Sequence, residues 1–215
     1  MPLDALWQEI ILRSQPFPAA RIKAIFAREG EGPYTPTTSR AYVSLSILPH
    51  EPKNFPLGSP QRLTRFPVQF LVETPWSAYK TLSSLGYVQA AAYAAIQRCG
   101  DALLLSAHGY LAETSRANLF FWTGEKLCTP SLQTGCIAGV FRQQVLRLAR
   151  QLGIPTEEGL YSLDALLNAQ EAFTTNVIQG IVPVLGIQAT GISFRTGPGS
   201  IAHLLAQHLQ AELLS

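Results

Sequence analysis

The sequence has few charged residues, few cysteines and no long apolar run. Aspartate, glutamate, lysine and arginine together make up 14% of its 215 residues, and the net charge is +2. No run of lysine or arginine forms a basic stripe, which argues against a nucleic-acid-binding protein. No stretch reaches the roughly 20 apolar residues that a membrane-spanning helix needs, so no membrane association is expected. The scarcity of charge suggests instead that another subunit covers part of an apolar surface.

The three cysteines, Cys99, Cys128 and Cys136, lack the short spacing of a metal site. Their odd number argues against a disulfide framework, and the four histidines are scattered. We therefore expect no metal centre. The opening residues are neither basic nor a long apolar run, so no secretion signal is predicted. Together these features predict a reducing, cytoplasmic location.

Hydrophobic periodicity predicts a mixed α/β (α+β) chain. A first helix is predicted over 3–11, followed by strands at 21–27 and 42–48. The proline-rich stretch from His50 to Pro60 predicts a linker, so we expect domains at 1–58 and 59–215. Further strands are predicted at 67–72, 102–106, 119–122, 126–128, 172–175 and 182–187, and helices at 87–97, 140–152, 162–167 and 199–214.

One carboxylate, Glu113, lies in a polar segment that leads directly into an apolar strand. The segment reads Leu111-Ala-Glu113-Thr-Ser115-Arg-Ala-Asn118-Leu-Phe-Phe121, and its first part predicts a turn. An acid at the mouth of a buried strand needs a cationic partner, because a low dielectric makes its charge costly. The plain alternative is a surface acid before a core strand.

Lys80 follows Pro75-Trp76-Ser77-Ala78-Tyr79, with no acid nearby in the sequence. In an apolar, partly desolvated setting the pKa of its amine would fall, which frees the amine as a nucleophile. The alternative is an exposed lysine whose stem packs on Trp76 or Tyr79.

A possible phosphate site begins at Gly139-Val140-Phe141, where the helix over 140–152 is predicted to start. Backbone N–H groups at a helix start bind phosphate, and a glycine there lets the ligand approach closely. An ordinary helix that begins after a glycine is the alternative. Downstream, Phe173-Thr174-Thr175-Asn176-Val177 ends a predicted strand with hydrogen-bonding side chains.

These four segments, in their order along the chain, resemble the class IV aminotransferase family of fold-type IV pyridoxal-phosphate enzymes. The resemblance is close over roughly residues 70–215 and loose over the first 60. It implies a shortened small N-terminal α/β domain, without the family's phosphate-binding arginine, and a larger pseudo-barrel domain. It also implies pyridoxal 5'-phosphate as cofactor, an amino-acid-like small-molecule substrate and a homodimer.

The resemblance also implies roles for individual residues. Lys80 matches the catalytic lysine that binds the cofactor covalently. Glu113 matches the carboxylate that keeps the cofactor's ring nitrogen protonated. Ser115 and Asn118 orient the segment around Glu113, or cap their own backbone. The full set of cofactor-binding residues implied is Lys80, Glu113, Ser115, Asn118, Gly139, Val140, Phe141, Thr175 and Asn176.

Two departures from the family pattern favour a lyase. Branched-chain aminotransferases place a tyrosine five residues after the lysine, where this chain has Leu85. Transaminases often carry a threonine where this chain has Val177. We therefore expect an enzyme like 4-amino-4-deoxychorismate lyase, which releases pyruvate and forms 4-aminobenzoate for folate synthesis. The alternatives are an aminotransferase for D- or branched-chain amino acids and a catalytically impaired relative that still binds cofactor.

Overall fold

The computed structural model describes residues 3–31, 34–35, 37–51 and 55–214. Within them the helices are α1 Leu3–Ser14, α2 Leu85–Ile96, α3 Val140–Gln151, α4 Leu163–Leu167 and α5 Ile201–Leu214. The strands are β1 Ala20–Arg28, β2 Ala41–Pro49, β3 Gln61–Arg65, β4 Asp101–Leu105, β5 Leu111–Thr114, β6 Asn118–Trp122, β7 Leu127–Pro130, β8 Thr156–Gly159, β9 Glu171–Asn176 and β10 Gly180–Ile187. Across the described residues, each helix is too short or too polar to cross a membrane.

The chain divides into two compact units, Met1–Lys53 and Asn54–Ser215. The division falls a few residues before the boundary predicted after residue 58. The reason is that Phe55 and Gly58 pack within the second unit: the Phe55 ring lies 4.9 Å from that of Phe141, and the Gly58 N–H donates to the carbonyl of Ile181. Residues 52–54 of the predicted linker lie outside the described residues.

The first unit contains α1 and the antiparallel pair β1–β2. Few of its side chains are buried, and α1 buries only Leu6 and Ile10 among those described. Trp7 on α1 and Phe26 on β1 remain 58% and 60% exposed. A two-stranded sheet with a single helix is marginal by itself, because it buries too little apolar area to offset the entropy of ordering the chain.

The second unit is built on eight strands, six of which close into a ring. The neighbours run in the order β5-β4-β3-β10-β9-β6, and β6 pairs again with β5. β7 and then β8 extend the sheet from β6. β3 is parallel to both β4 and β10, and the other contacts within the ring are antiparallel. The pseudo-barrel predicted for this part of the chain is therefore confirmed.

Helices cover the barrel strands, which explains why the strands are apolar without alternation. All five residues of β4 are buried, as expected for a strand covered on both faces. On α3, Phe141, Val145, Leu148 and Ala149 recur at helical spacing and are buried. They pack with Phe120 and Phe173, whose rings stack at 5.2 Å. Burying each large side chain contributes about 1.5–3 kcal/mol, so this cluster fixes the start of α3 against β6 and β9.

Two predictions about the elements were wrong, and two further strands were not predicted. Residues 67–72, all of which the structure describes, form no strand, and Leu71 makes one isolated bridge with Ser106. Glu113 lies in strand β5 rather than in a turn, and the turn follows at 115–117. The strands β3 and β8 were not predicted. β3 reads Gln-Arg-Leu-Thr-Arg and owes its burial to its two parallel neighbours, while β8 reads Thr-Glu-Glu-Gly, as suits a charged edge strand.

Candidate active site

A cavity of about 680 Å³ lies within the second unit. This volume is in the range of small-molecule sites. The cavity is lined by the turn after β5, the N-terminal ends of α2 and α3, the C-terminal end of β9 and the segment 70–84. All nine residues implied by the family resemblance line it: Lys80, Glu113, Ser115, Asn118, Gly139, Val140, Phe141, Thr175 and Asn176.

Glu113 is buried at the point where β5 and β6 diverge. It pairs with Asn118 in the sheet register. Further along β6, the same edge of the strand pairs with β7 instead. Its oxygen Oε1 accepts a hydrogen bond of 2.6 Å from the phenol of Tyr87. The backbone N–H of Ile137 donates to both carboxylate oxygens at 3.2 Å, and Asn118 Nδ2 lies 3.4 Å from Oε2.

Burial raises the pKa of Glu113 to about 7. The hydrogen bonds from Tyr87 and Ile137 and the charges of Lys80 and Arg142 oppose this rise without cancelling it. The carboxylate in turn affects its neighbours: burial and the Glu113 charge raise the pKa of Tyr87, and the same two causes raise that of Cys136 to about 11. The cavity thus holds an acid that titrates near neutral pH.

Lys80 lies in the segment 70–84 and is exposed at the edge of the cavity. The prediction that Lys80 lies in an apolar, desolvated setting is therefore wrong. Its neighbours Trp76 and Tyr79 are also exposed, at 64% and 70%, so they do not shield the amine from water. The charge of Lys80 still lowers the pKa of Glu113. The amine and the acid therefore interact electrostatically.

Helix α3 begins at the cavity with Gly139 as its N-cap and no side-chain cap. The first N–H groups of the helix thus receive no capping side chain, which suits an anion. Gly139 is required by close packing, since a Cβ at this position would lie 2.1 Å from Asn118 Oδ1. Asn118 cannot retreat easily, because its Nδ2 donates to the carbonyl of Ile137 at 2.7 Å.

Ser115 is held by Asp101, a buried acid at the start of β4. The Ser115 hydroxyl donates to Asp101 Oδ1, and the Thr114 hydroxyl donates to Oδ2 at 2.8 Å. Arg116 lies 3.4 Å from the same carboxylate and also donates to the carbonyl of Gly100. Ser115 therefore lines the cavity while its hydroxyl is used to fix the turn between β5 and β6.

Thr175 and Asn176 end β9 at the cavity, and their side chains are largely used within the turn that follows. Thr175 Oγ1 donates to the carbonyl of Gly180 at 2.9 Å. Asn176 Oδ1 accepts from the N–H groups of Ile178 and Gln179, and its Nδ2 donates to the carbonyl of Arg116. Asn176 therefore joins the β9–β10 turn to the β5–β6 turn, whereas the Thr175 hydroxyl bonds only to the start of β10.

The other predicted residues at the start of α3 differ in exposure. Val140 is 65% exposed, whereas Phe141 is buried with its ring near Phe55. The next residue, Arg142, is buried and ties down the start of α3. Its Nη2 donates to the carbonyl of Pro130 at 2.9 Å and to Glu158 at 2.7 Å.

Three contributors to the site were not found from the sequence. Tyr87 and Ile137 donate to Glu113, and Asp101 organises the turn that follows it. A backbone donor such as Ile137 has no sequence signal. The available signal for Tyr87 was its spacing from Ala90 and Ala94, which places all three on one face of α2.

The chemical groups that line the cavity suit one kind of ligand. The cavity offers an exposed amine at Lys80, a buried carboxylate at Glu113 and a helix start at Gly139. These groups can respectively take an aldehyde, a positively charged ring and a phosphate group. Pyridoxal phosphate carries all three features, so the residues present fit it.

Comparison with known proteins supports this interpretation. Residues 3–187, most of the chain, match the family described as amino-transferase class IV. A protein of Thermotoga maritima named "Probable branched-chain-amino-acid aminotransferase" is 34% identical over 117 residues, which are 54% of this chain and 42% of that protein. The aminodeoxychorismate lyase of Bacillus subtilis is 33% identical over 102 residues, which are 47% of this chain and 35% of the lyase. The aligned segments thus span less than half of these relatives.

A solved structure shows the same fold. The branched-chain amino acid aminotransferase from Thermobaculum terrenum, in its PLP form, matches with a TM-score of 0.87 and 20% identity. The match covers 99% of this chain and 71% of that one. The fold-type IV architecture implied by the sequence resemblance is therefore confirmed.

Proposed function

The chain belongs to the class IV aminotransferase family, and on that premise we propose that it is a pyridoxal-phosphate-dependent enzyme. The observation that carries the proposal is the convergence of Lys80, Glu113 and the uncapped start of α3 on one cavity. The PLP form of the Thermobaculum terrenum relative supports the choice of cofactor.

In this proposal each group has one task. The cofactor, when bound, supplies an electron sink for the charge left at the substrate α-carbon. Lys80 would hold it covalently through its amine, and the same amine, when free, would accept and return the proton at the substrate α-carbon. Glu113 holds a proton on the ring nitrogen by staying ionised beside it. The first N–H groups of α3 bind the phosphate, and Asn118 and Ser115 hold the strand ends that carry Glu113.

We propose a reaction like that of 4-amino-4-deoxychorismate lyase, in which elimination of pyruvate leaves the aromatic ring of 4-aminobenzoate, a folate precursor. Similarity to the Bacillus subtilis lyase supports this choice. Leu85 and Val177 support it as well, since both are exposed and apolar where transaminases use hydroxyl-bearing side chains. An aminotransferase for branched-chain or D-amino acids is the second candidate, favoured by similarity to the Thermotoga maritima protein.

A product assay separates the two reactions. The purified protein with pyridoxal phosphate is given 4-amino-4-deoxychorismate, and 4-aminobenzoate and pyruvate are measured. In parallel, a panel of amino acids is tested for conversion to keto acids. The lyase proposal requires both products in equal amounts. Keto acids from the panel alone would favour the transaminase, and no product with either substrate would overturn the proposal of an enzyme.

We further propose that the enzyme works as a homodimer in the cytoplasm. Exposed apolar side chains beside the cavity support a partner surface: Trp76, Tyr79, Leu82 and Leu85. A two-fold dimer is the commonest way to cover such a patch. The three free thiols support a reducing compartment. Light scattering at micromolar concentration tests the assembly, and a cofactor-binding monomer of about 23.4 kDa would contradict it.

A further inference from the structure

Tyr87 makes the shortest side-chain contact to Glu113. Its phenol donates to Oε1 at 2.6 Å, whereas Asn118 Nδ2 lies 3.4 Å from Oε2. Hydrogen bonds to a charged acceptor are about twice as strong as those between neutral groups. Tyr87 also lines the cavity. The phenol is therefore placed to act on Glu113 from within the cavity.

The fold brings this phenol to the carboxylate through a face of small residues. Tyr87, Ala90 and Ala94 lie on one face of α2, and both alanines are almost fully buried. They meet Ala102 and Ala112 of the barrel strands in one cluster, which lets the helix approach the sheet closely. The ring of Tyr87 packs edge-on against Phe70, with centroids 5.5 Å apart. This contact fixes the direction in which the phenol points.

Other groups around Glu113 are less able to do this work. Lys80 is exposed, so water weakens the effect of its charge on Glu113. Arg142 is buried, but its Nη2 is bonded to Pro130 and Glu158, and it acts on Glu113 through its charge rather than through a hydrogen bond. The thiol of Cys136 is a weak donor, and its own pKa is raised. Ile137 supplies a backbone N–H that no substitution of a side chain can tune.

We propose that Tyr87 is a positioning residue: its phenol keeps Glu113 ionised and oriented, so that Glu113 can hold the proton of a bound cofactor's ring. This inference rests on the proposed function, since it assigns a partner to the acid that faces the cofactor. Removing the phenol leaves a buried carboxylate with one strong donor fewer, and the carboxylic acid form is then favoured.

The test compares Tyr87→Phe with Tyr93→Phe. The first change keeps the ring that packs on Phe70 and removes only the hydroxyl. The second removes a hydroxyl from the same helix, where Tyr93 packs against Phe66 instead. In cofactor-free protein, infrared difference spectra against Glu113→Gln isolate the carboxyl band of Glu113 across a pH series. We expect the midpoint to rise by about one to two pH units in Tyr87→Phe and to stay unchanged in Tyr93→Phe.

Cofactor binding gives the second measurement. Pyridoxal phosphate should bind Tyr87→Phe about two- to tenfold more weakly at pH 8, where the wild-type carboxylate is largely ionised and the variant's is roughly half to nine-tenths protonated. In the Glu113→Gln background, Tyr87→Phe should weaken binding no further, because the phenol then has no carboxylate to act on.

The outcomes separate this inference from the proposed function. An unmoved carboxyl midpoint in Tyr87→Phe would overturn the role of Tyr87, whatever the protein binds. A weakening that persists in the Glu113→Gln background would also overturn it, since the phenol would then act directly. If the midpoint moves but wild-type protein binds no pyridoxal phosphate, the proposed function fails and the control of Glu113 by Tyr87 stands.

Discussion

Replacing Glu113 by glutamine should change how the stability of the cofactor-free protein depends on pH. Burial raises the pKa of this acid to about 7, against 4.5 for the group in water. Between these values the unfolded chain releases the proton while the folded protein keeps it. The folded state therefore binds more protons, and the free energy of unfolding falls as the pH rises through this window. Above pH 7 both states are ionised and the effect levels off.

The size of the fall follows from the separation of the two pKa values. Each pH unit between them corresponds to about 1.4 kcal/mol, and 7 − 4.5 = 2.5 units. The wild-type protein should thus lose about 3 kcal/mol relative to Glu113→Gln between pH 4.5 and pH 8. The glutamine itself shifts the whole curve by a constant amount, since its amide meets the donors of Tyr87 and Ile137. The difference in slope is independent of that constant.

Urea unfolding of cofactor-free protein at intervals from pH 4.5 to 8 measures the slope. Glu125→Gln, a change at an exposed acid in the turn before β7, retains Glu113 and should keep the wild-type fall. Parallel curves for the wild type and Glu113→Gln would refute the argument, because they would mean that Glu113 titrates alike in the folded and unfolded states.

Other substitutions test the remaining parts of the site. Lys80→Ala should abolish covalent binding of pyridoxal phosphate, and borohydride reduction with peptide mapping should label Lys80 in the wild type; a label on Lys126 would contradict the assignment. Gly139→Ala should cost about 1–3 kcal/mol in urea unfolding and weaken cofactor binding, because its Cβ would overlap Asn118 Oδ1; unchanged values would show that Asn118 moves freely. Asp101→Asn should cost about 1–3 kcal/mol, because its amide nitrogen would replace the oxygen that accepts from the Thr114 hydroxyl and faces Arg116; full stability would show that the turn after β5 holds without this acid.

The sequence predicted the elements with strong apolar patterns and missed those that depend on their neighbours. Helix α3 shows apolar residues at helical spacing after Gly139, and it was predicted to within one residue at its end. Strand β3 carries a single large apolar side chain, Leu63, between polar residues. Its burial comes from parallel pairing on both sides, and long-range pairing of this kind leaves no local pattern.

The candidate site, too, was predicted only in part. The candidate residues line one cavity, but the sequence could not tell how their side chains are used. Ser115 is directed to Asp101, which lies 14 residues earlier in the chain, and Asn176 is engaged by its own turn. Lys80 is exposed although apolar and aromatic residues surround it in the sequence, because Trp76 and Tyr79 are exposed as well.

The raised pKa of Glu113 shows that the empty cavity does not fully compensate the burial of the carboxylate charge. Two hydrogen-bond donors and two cationic side chains act on this carboxylate, and burial still outweighs them. A positively charged ring beside Glu113 would supply the missing favourable interaction in a place that water does not reach. The acid therefore destabilises the empty protein at neutral pH and stabilises the occupied one. Binding and ionisation of Glu113 are then thermodynamically linked, and each donor that lowers the cost of the charge, Tyr87 above all, strengthens binding by raising the fraction of protein in which Glu113 is ionised.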